Sequence, residues 1–186
     1  MGYLVRKFKD LENKNLINSA SDVDSIIADV LKEFQTCDNG DLSTWRIDKI
    51  TDLEKAILPI AITNTQICEL NVILIDEDLL LKYNFSKQQE SSKEDNIINC
   101  PIDKMHYNIK NITIGNIKNC VALYWETMDK DQHKFTTYTK KFAAFEVADI
   151  ILNAFKNNII TKEQIRCIKS LRKSFPELIA KAGVQL

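Results

Sequence analysis

The chain of 186 residues contains only four glycines, and they are far apart. Phosphate-binding loops need two or three closely spaced glycines, because the backbone there turns sharply and approaches the ligand. The four are Gly2, Gly40, Gly115 and Gly183. Their spacing excludes an ordinary P-loop and the glycine fingerprint of dinucleotide-binding folds.

Histidine and paired cysteine, the usual zinc ligands, are also scarce. There are two histidines, and the five cysteines are far apart with no C-x-x-C spacing. This pattern predicts neither a zinc site nor a disulfide framework, and no cofactor is expected. Cys100 and His106 lack the context of a Cys–His nucleophile, so we expect His106 to pack or cap. Isolated cysteines favour a reducing, cytoplasmic location.

Neither an excess of one charge nor a long apolar run marks the chain. The formal net charge is −1, and no apolar run approaches the ~20 residues that span a bilayer, so no membrane partner is expected. The charge is unevenly spread, because residues 1–129 carry 14 basic and 21 acidic side chains and residues 130–186 carry 11 and 5. This split indicates attraction between the halves, an acidic partner for the basic half, or two solvated surfaces.

Alternating strand and helix patterns predict an α/β fold for the first half of the chain, with α+β as the alternative. Short apolar or alternating runs predict strands at residues 3–8, 42–47 and 70–75. Apolar residues at helical spacing predict helices at residues 21–35, 51–61 and 76–83. The order β-α-β-α-β-α predicts a small three-stranded domain over residues 1–85, with right-handed crossovers between parallel strands. The last strand reads as buried on both faces.

The second half of the chain shows helical patterns and no predicted strands. Residues 86–95 contain no apolar side chain, which predicts a polar linker or mobile loop over residues 86–104. Apolar residues at helical spacing then predict an all-helical domain over residues 105–186. The predicted division is therefore a small α/β domain, a linker and a helical domain.

Three acidic residues follow the strand at 70–75 directly. Asp76 and Asp78, with Asp48 after the preceding strand, are candidate Mg²⁺ ligands for phosphoryl transfer or nuclease chemistry. The other interpretation is that Asp76 caps a short helix whose first turn holds the remaining acids, where the helix dipole favours them. We expect the cap, because the sequence offers only Asp48 as a third carboxylate and no histidine close by.

A basic pattern near the C-terminus is a second candidate site. Lys162, Arg166, Lys169 and Lys173 recur at spacings of three or four residues, with Arg172 beside them. On one helix they predict a phosphate-contacting face for nucleic acid. A solvated surface helix gives the same pattern, and we expect that simpler role.

Trp45 and Arg46 on the second predicted strand, with Arg6 on the first, form a candidate protein-binding face. Tryptophan and arginine are enriched where interfaces bind most tightly. The alternative is that Trp45 belongs to the core while Arg46 extends its charged head to water.

The missing catalytic motifs and the charge-split halves favour a non-enzymatic accessory or partner-binding subunit. We expect it in a bacterial or phage multi-protein system, a defence-associated one among the candidates. Its partner is expected to be another protein or a second copy of the chain. The alternatives are a Mg²⁺-dependent nuclease-like domain at Asp76 and Asp78, and nucleic-acid binding through the basic C-terminal helix.

Overall fold

The computed structural model describes residues 2–8, 40–92, 94–97, 100–129 and 139–186. These residues form a mixed α/β structure in which one sheet lies between two layers of helices. The helix predicted at residues 21–35 lies outside the described residues. No helix within the described ranges is long and apolar enough to cross a bilayer.

The described elements follow one another along the chain in a mixed order. The strands are β1 (Tyr3–Lys7), β2 (Leu42–Ile47), β3 (Leu70–Asp76), β4 (Ser86–Gln89), β5 (His106–Lys110) and β6 (Thr139–Phe142). The α-helices are α1 (Leu53–Thr63), α2 (Glu77–Lys82), α3 (Ile117–Asp129), α4 (Ala144–Lys156), α5 (Ile168–Ser174) and α6 (Pro176–Ala182). The three predicted strands and the helices predicted at 51–61 and 76–83 are therefore confirmed as elements.

The pairing of these strands differs from the prediction. The sheet order is β4-β5-β2-β1-β3-β6, and the described strand pairs are all antiparallel. Tyr3 of β1 pairs with Ile47 on one side and Asp76 on the other, so β1 separates β2 from β3. Because β2 and β3 are both antiparallel to β1, they run parallel to each other and α1 connects them. The predicted three-stranded parallel arrangement is wrong, since β1 lies between the two strands that the crossover joins.

The all-helical second half is also wrong. β5 and β6 lie within residues 105–186, and β4 lies within the predicted linker. Each of the three has only four or five residues, so its alternation is too short to stand out beside longer helical patterns. Strands from both sides of residues 86–104 share the sheet, and the division into domains stays a prediction.

β3 is buried on both faces, as the sequence predicts. Val72 and Leu74 pack with α1 and α4, whereas Ile73 and Ile75 pack with α2 and α3 on the opposite face. All four side chains are fully withdrawn from solvent. The continuous apolar run therefore reflects helices on both faces of the strand, and not the parallel pairing with which such runs are often associated.

The C-terminal segment contains a capped 3-10 turn and two short helices, of which α6 has the limits that proline and glycine indicate. The backbone N–H of Thr161 donates to Gln164 Oε1 at 2.7 Å, which is one half of a capping box. That box opens only a short 3-10 turn, Lys162–Gln164, and α5 begins later. Pro176 is the first residue of α6, and Gly183 ends that helix with a φ of 68°, a left-handed conformation that glycine adopts without steric cost.

The two-sided burial of β3 makes a prediction about stability. Ile73→Ala and Leu74→Ala remove buried methyl groups from opposite faces of one strand, so each should lower the free energy of unfolding by about 2–5 kcal/mol. Chemical denaturation measures both values. Leu81→Ala is the matched control, because Leu81 is 79% exposed and its loss should cost less than about 0.5 kcal/mol. A large loss for only one of the two β3 variants would contradict the burial of both faces.

Candidate functional site

Asp76, the first of the predicted metal ligands, acts as a helix cap. Its side chain is buried, and Oδ1 accepts a hydrogen bond from the backbone N–H of Asp78 at 3.0 Å. Asp78 is exposed, and Asp48 lies 2.7 Å from Arg46 Nη1. Within the described residues, no group of three or more His, Cys, Asp or Glu side chains is placed to hold a metal ion. The capping interpretation is confirmed, and the Mg²⁺ site stays a prediction.

Glu77, which the sequence interpretation left as a solvated acid, is the centre of an ion-pair cluster. Arg46 Nε donates to Glu77 Oε1 at 2.7 Å, and Lys87 Nζ pairs with the same oxygen. Burial alone would lower the pKa of Arg46, but the hydrogen bonds and charges of Glu77 and Asp48 raise it. The cluster joins β2, β4 and α2.

Gly2 packs closely against this cluster. Its carbonyl accepts a hydrogen bond from the Glu77 backbone N–H at 3.1 Å. A Cβ added at Gly2 would lie 2.8 Å from Glu77 Oε2 and 3.0 Å from Arg46 Nη2. A side chain at this position would therefore displace the ends of Glu77 and Arg46, so Gly2 leaves room for the ion pair.

The three residues of the predicted protein-binding face do not share a face. Trp45 is 6% exposed and packs in the α1 side of the core, with its ring 4.9 Å from that of His106. Arg46 alternates to the opposite face, where it meets Glu77. Arg6 donates from Nη1 to the Ser43 carbonyl at 3.0 Å. The core position of Trp45 agrees with the alternative interpretation, and protein binding by these residues stays a prediction.

The predicted basic face is divided between a turn and a helix. Lys162 lies in the 3-10 turn, while Lys169 and Lys173 are exposed on α5. Arg166 Nη1 lies 2.5 Å from Glu94 Oε2, and Arg172 donates to the carbonyl of Leu186. Two of the arginine charges are thus already engaged within the chain, and nucleic-acid binding stays a prediction.

A groove beside α1 and α4, here called the α1–α4 groove, is a concave surface with an apolar part and a more polar part. One cavity of about 360 Å³ lies between the two helices and the Pro101–Met105 turn. Its apolar lining includes Leu58, Pro101, Ile102, Met105, Ile150 and Ile159. A second cavity of about 390 Å³ adjoins it, and Glu54, Ile150 and Asn153 line both. The two cavities therefore form one continuous groove along α4.

Two exposed apolar side chains lie in this groove. Phe145, in the second cavity, is 59% exposed, and Ile159, in the first, is 47% exposed. The described residues contain only two other large apolar side chains with comparable exposure, Ile50 and Leu81. Phe145 lies outside the buried stripe of α4, which runs through Ala148, Ile151 and Leu152.

A polar cluster on β2 and β5 was not predicted. Ser43 Oγ lies 2.8 Å from Nε2 of His106, and Nδ1 of the same ring lies 2.8 Å from the carbonyl oxygen of Glu90. His106 is 5% exposed, and Ser43 is half-buried. The two residues are 63 positions apart, so only the register between β2 and β5 brings them together.

Glu90 links this pair to a charged network. Glu90 Oε2 accepts from Asn108 Nδ2 at 2.7 Å, and Oε1 pairs with Lys110 Nζ at 2.5 Å. The hydrogen bond from Lys110 lowers the pKa of Glu90. Hydrogen bonds to Asp41 and then to Glu90 raise the pKa of Lys110. The network holds the residue whose carbonyl contacts His106.

Comparison of the chain with protein-family models, curated proteins and solved structures gives no match. A proposal about function must therefore be based on the geometry of the sites themselves. The groove and the Ser43–His106 pair are the two arrangements that the residues bring together, whereas the predicted acidic, aromatic and basic sets are divided between residues engaged within the chain and exposed side chains such as Asp78, Lys169 and Lys173.

The capping role of Asp76 can be separated from a metal-binding role. Asp76→Ala should lower the free energy of unfolding by about 0.5–2 kcal/mol, because the cap is lost. Asp78→Ala is the control, since Asp78 contributes its backbone N–H and not its side chain to the cap. Denaturation with and without Mg²⁺ measures both effects. Mg²⁺ that stabilises the wild type but not Asp76→Ala would show a metal site instead.

Proposed function

We propose that this chain is an accessory subunit that binds a partner protein through the α1–α4 groove. Phe145 and Ile159, two large apolar side chains left exposed in a concave surface, are the observation that carries the proposal. Covering an apolar surface of this kind with another apolar surface lowers the free energy, because both are removed from water. Leu58, Ile102 and Ile150 form the floor of the groove and also pack in or against the core. Phe145 and Ile159 are the exposed apolar side chains above it.

The shape of the groove favours a helix as its occupant. α4 has 13 residues, which makes it about 20 Å long at 1.5 Å per residue. An amphipathic helix of about four turns matches that length and presents apolar residues at i, i+3, i+4 and i+7. Phe145 lies in the first turn of α4 and Ile159 just beyond its last residue, so a partner helix of that length lying along α4 would extend over both.

The charges in the groove indicate the polarity of that helix. Glu54 lines both cavities, and Asp149 lines the second one beside it. Lys55, at the other side of the groove, donates to Asp52 at 2.8 Å. Glu146, Lys140 and Lys181 also line the second cavity. Glu54 is the carboxylate that both cavities share, so a Lys or Arg at the centre of the partner helix would meet it. We propose an amphipathic helix with at least one central basic residue.

Selection from a displayed library of helical peptides, with the whole chain as the target, tests this proposal. Selected peptides should carry the i, i+3, i+4, i+7 apolar pattern with a central Lys or Arg. Ile159→Asp should weaken their binding about thirty-fold or more, since the loss of an interface anchor costs about 2 kcal/mol. Glu54→Lys should shift selection toward peptides with Asp or Glu at that position.

Leu81→Asp is the matched control, because Leu81 is exposed on α2 on the other side of the sheet. It should leave peptide binding unchanged. Peptides that bind Ile159→Asp as well as wild type would refute the groove as the site. A dimer of the chain that Ile159→Asp dissociates would show that the groove binds a second copy and not a partner.

The setting we propose is the cytoplasm of a bacterium, or a phage-encoded system working there, with defence systems among the candidates. Four cysteines in the described residues are free, and three of them are buried. Burial raises the pKa of Cys120 to about 12 and that of Cys167 to about 11. Such thiols are unreactive and act as small apolar groups, which fits a reducing compartment.

Nucleic-acid binding is the second candidate, supported by the exposed Lys169 and Lys173 on α5. If it holds, Lys169→Glu with Lys173→Glu should abolish a gel shift seen with wild type at low salt, because phosphate contacts release bound counterions. Lys156→Glu is a control, because Lys156 is an exposed lysine on α4. A wild type that produces no shift even at low salt would remove this candidate.

A further inference from the structure

The contacts of the His106 ring determine which nitrogen carries the proton. The Glu90 carbonyl near Nδ1 can only accept a hydrogen bond, so Nδ1 is the protonated nitrogen. In the neutral ring, Nε2 then holds the lone pair, and Ser43 Oγ–H donates to it across 2.8 Å. A hydroxyl that donates to an oriented imidazole is the arrangement that activates serine as a nucleophile.

We propose that Ser43 is a nucleophile, with His106 as its general base and the Glu90 carbonyl as the group that orients the ring. The substrate class would be an ester whose carbonyl carbon reaches the half-buried Ser43 Oγ. This activity goes beyond partner binding, and it uses residues of β2 and β5 that do not line the α1–α4 groove.

Ester hydrolysis by this pair needs water as its only other reactant. Ser43 Oγ attacks the ester carbon while its proton passes to His106 Nε2. The carbon–oxygen bond to the alcohol breaks, and the alcohol leaves with that proton, so that an acyl–serine remains. Water then attacks the acyl carbon, gives one proton to Nε2 and releases the carboxylic acid as Ser43 regains its hydrogen.

Asn108 is the residue that we assign to the developing oxyanion. It pairs directly with Ser43 in the β2–β5 register, and such cross-strand neighbours have Cβ atoms about 4.5–5.5 Å apart. Its Nδ2 carries two hydrogens, of which one is donated to Glu90 Oε2 at 2.7 Å. The other is the donor for the substrate oxygen. Trp45, whose ring packs on His106, provides an apolar wall beside the pair.

A fluorophosphonate probe tests the proposal on the native chain. The probe should form a covalent bond to Ser43 with loss of fluoride, and peptide mapping should locate it there. His106→Gln should slow labelling at least about 100-fold, the lower end of what a general base contributes. Ser43→Ala should abolish it, with circular dichroism confirming that both variants fold.

Two controls separate this site from a merely exposed hydroxyl and from the groove. Ser174→Ala removes an exposed serine of α5, and Ile159→Asp alters only the groove. Both should label at the wild-type rate. Failure of native wild type to react, a label that maps to another residue, or labelling that His106→Gln leaves unchanged would each overturn the proposal. Mapping on the wild type needs no variant, so the result stands even if Ser43→Ala does not fold.

Discussion

Burial of β3 between two layers of helices is the constraint on which the rest of the structure depends. Its four consecutive apolar side chains are buried alternately on the two faces of the sheet, so both helical layers are needed to cover them. β1 pairs with β3 along its whole length and with β2 on its other side, so the buried centre extends outward as a sheet. Because the hydrophobic effect is proportional to the apolar area removed from water, this centre supplies much of the stability.

Polar and charged contacts are confined to the margins of that centre, where they define the candidate sites. Arg46 and Lys87 pair with Glu77 and so join the segment after β3 to β2 and β4. Across β2 and β5, the half-buried Ser43 contacts the buried His106. The α1–α4 groove lies outside both arrangements, because α4 uses one stripe for the core and leaves Phe145 beside it.

Local patterns predicted the elements well and their arrangement poorly. The β2 and β3 segments, the cap at Asp76 and the limits of α6 follow from short-range rules: alternation, continuous apolar runs, capping carboxylates, and proline or glycine at helix ends. β5 and β6 were not predicted because a run of four or five residues within helical patterns carries little periodic signal. The Ser43–His106 pair was not predicted because a contact between residues 63 positions apart leaves no local pattern.

The sequence by itself determined that the chain has no glycine-rich phosphate loop, that Leu70–Ile75 is a strand covered on both faces, and that Asp76 begins a helix. These properties depend on residue types and their neighbours in the chain, whose preferences act over a few bonds. Only the tertiary structure decided that β1 lies between β2 and β3, that the second half contributes strands to the same sheet, and that Ser43 faces His106. The pairing of strands depends on how much apolar surface all segments bury together, and the sequence of one segment does not contain that information.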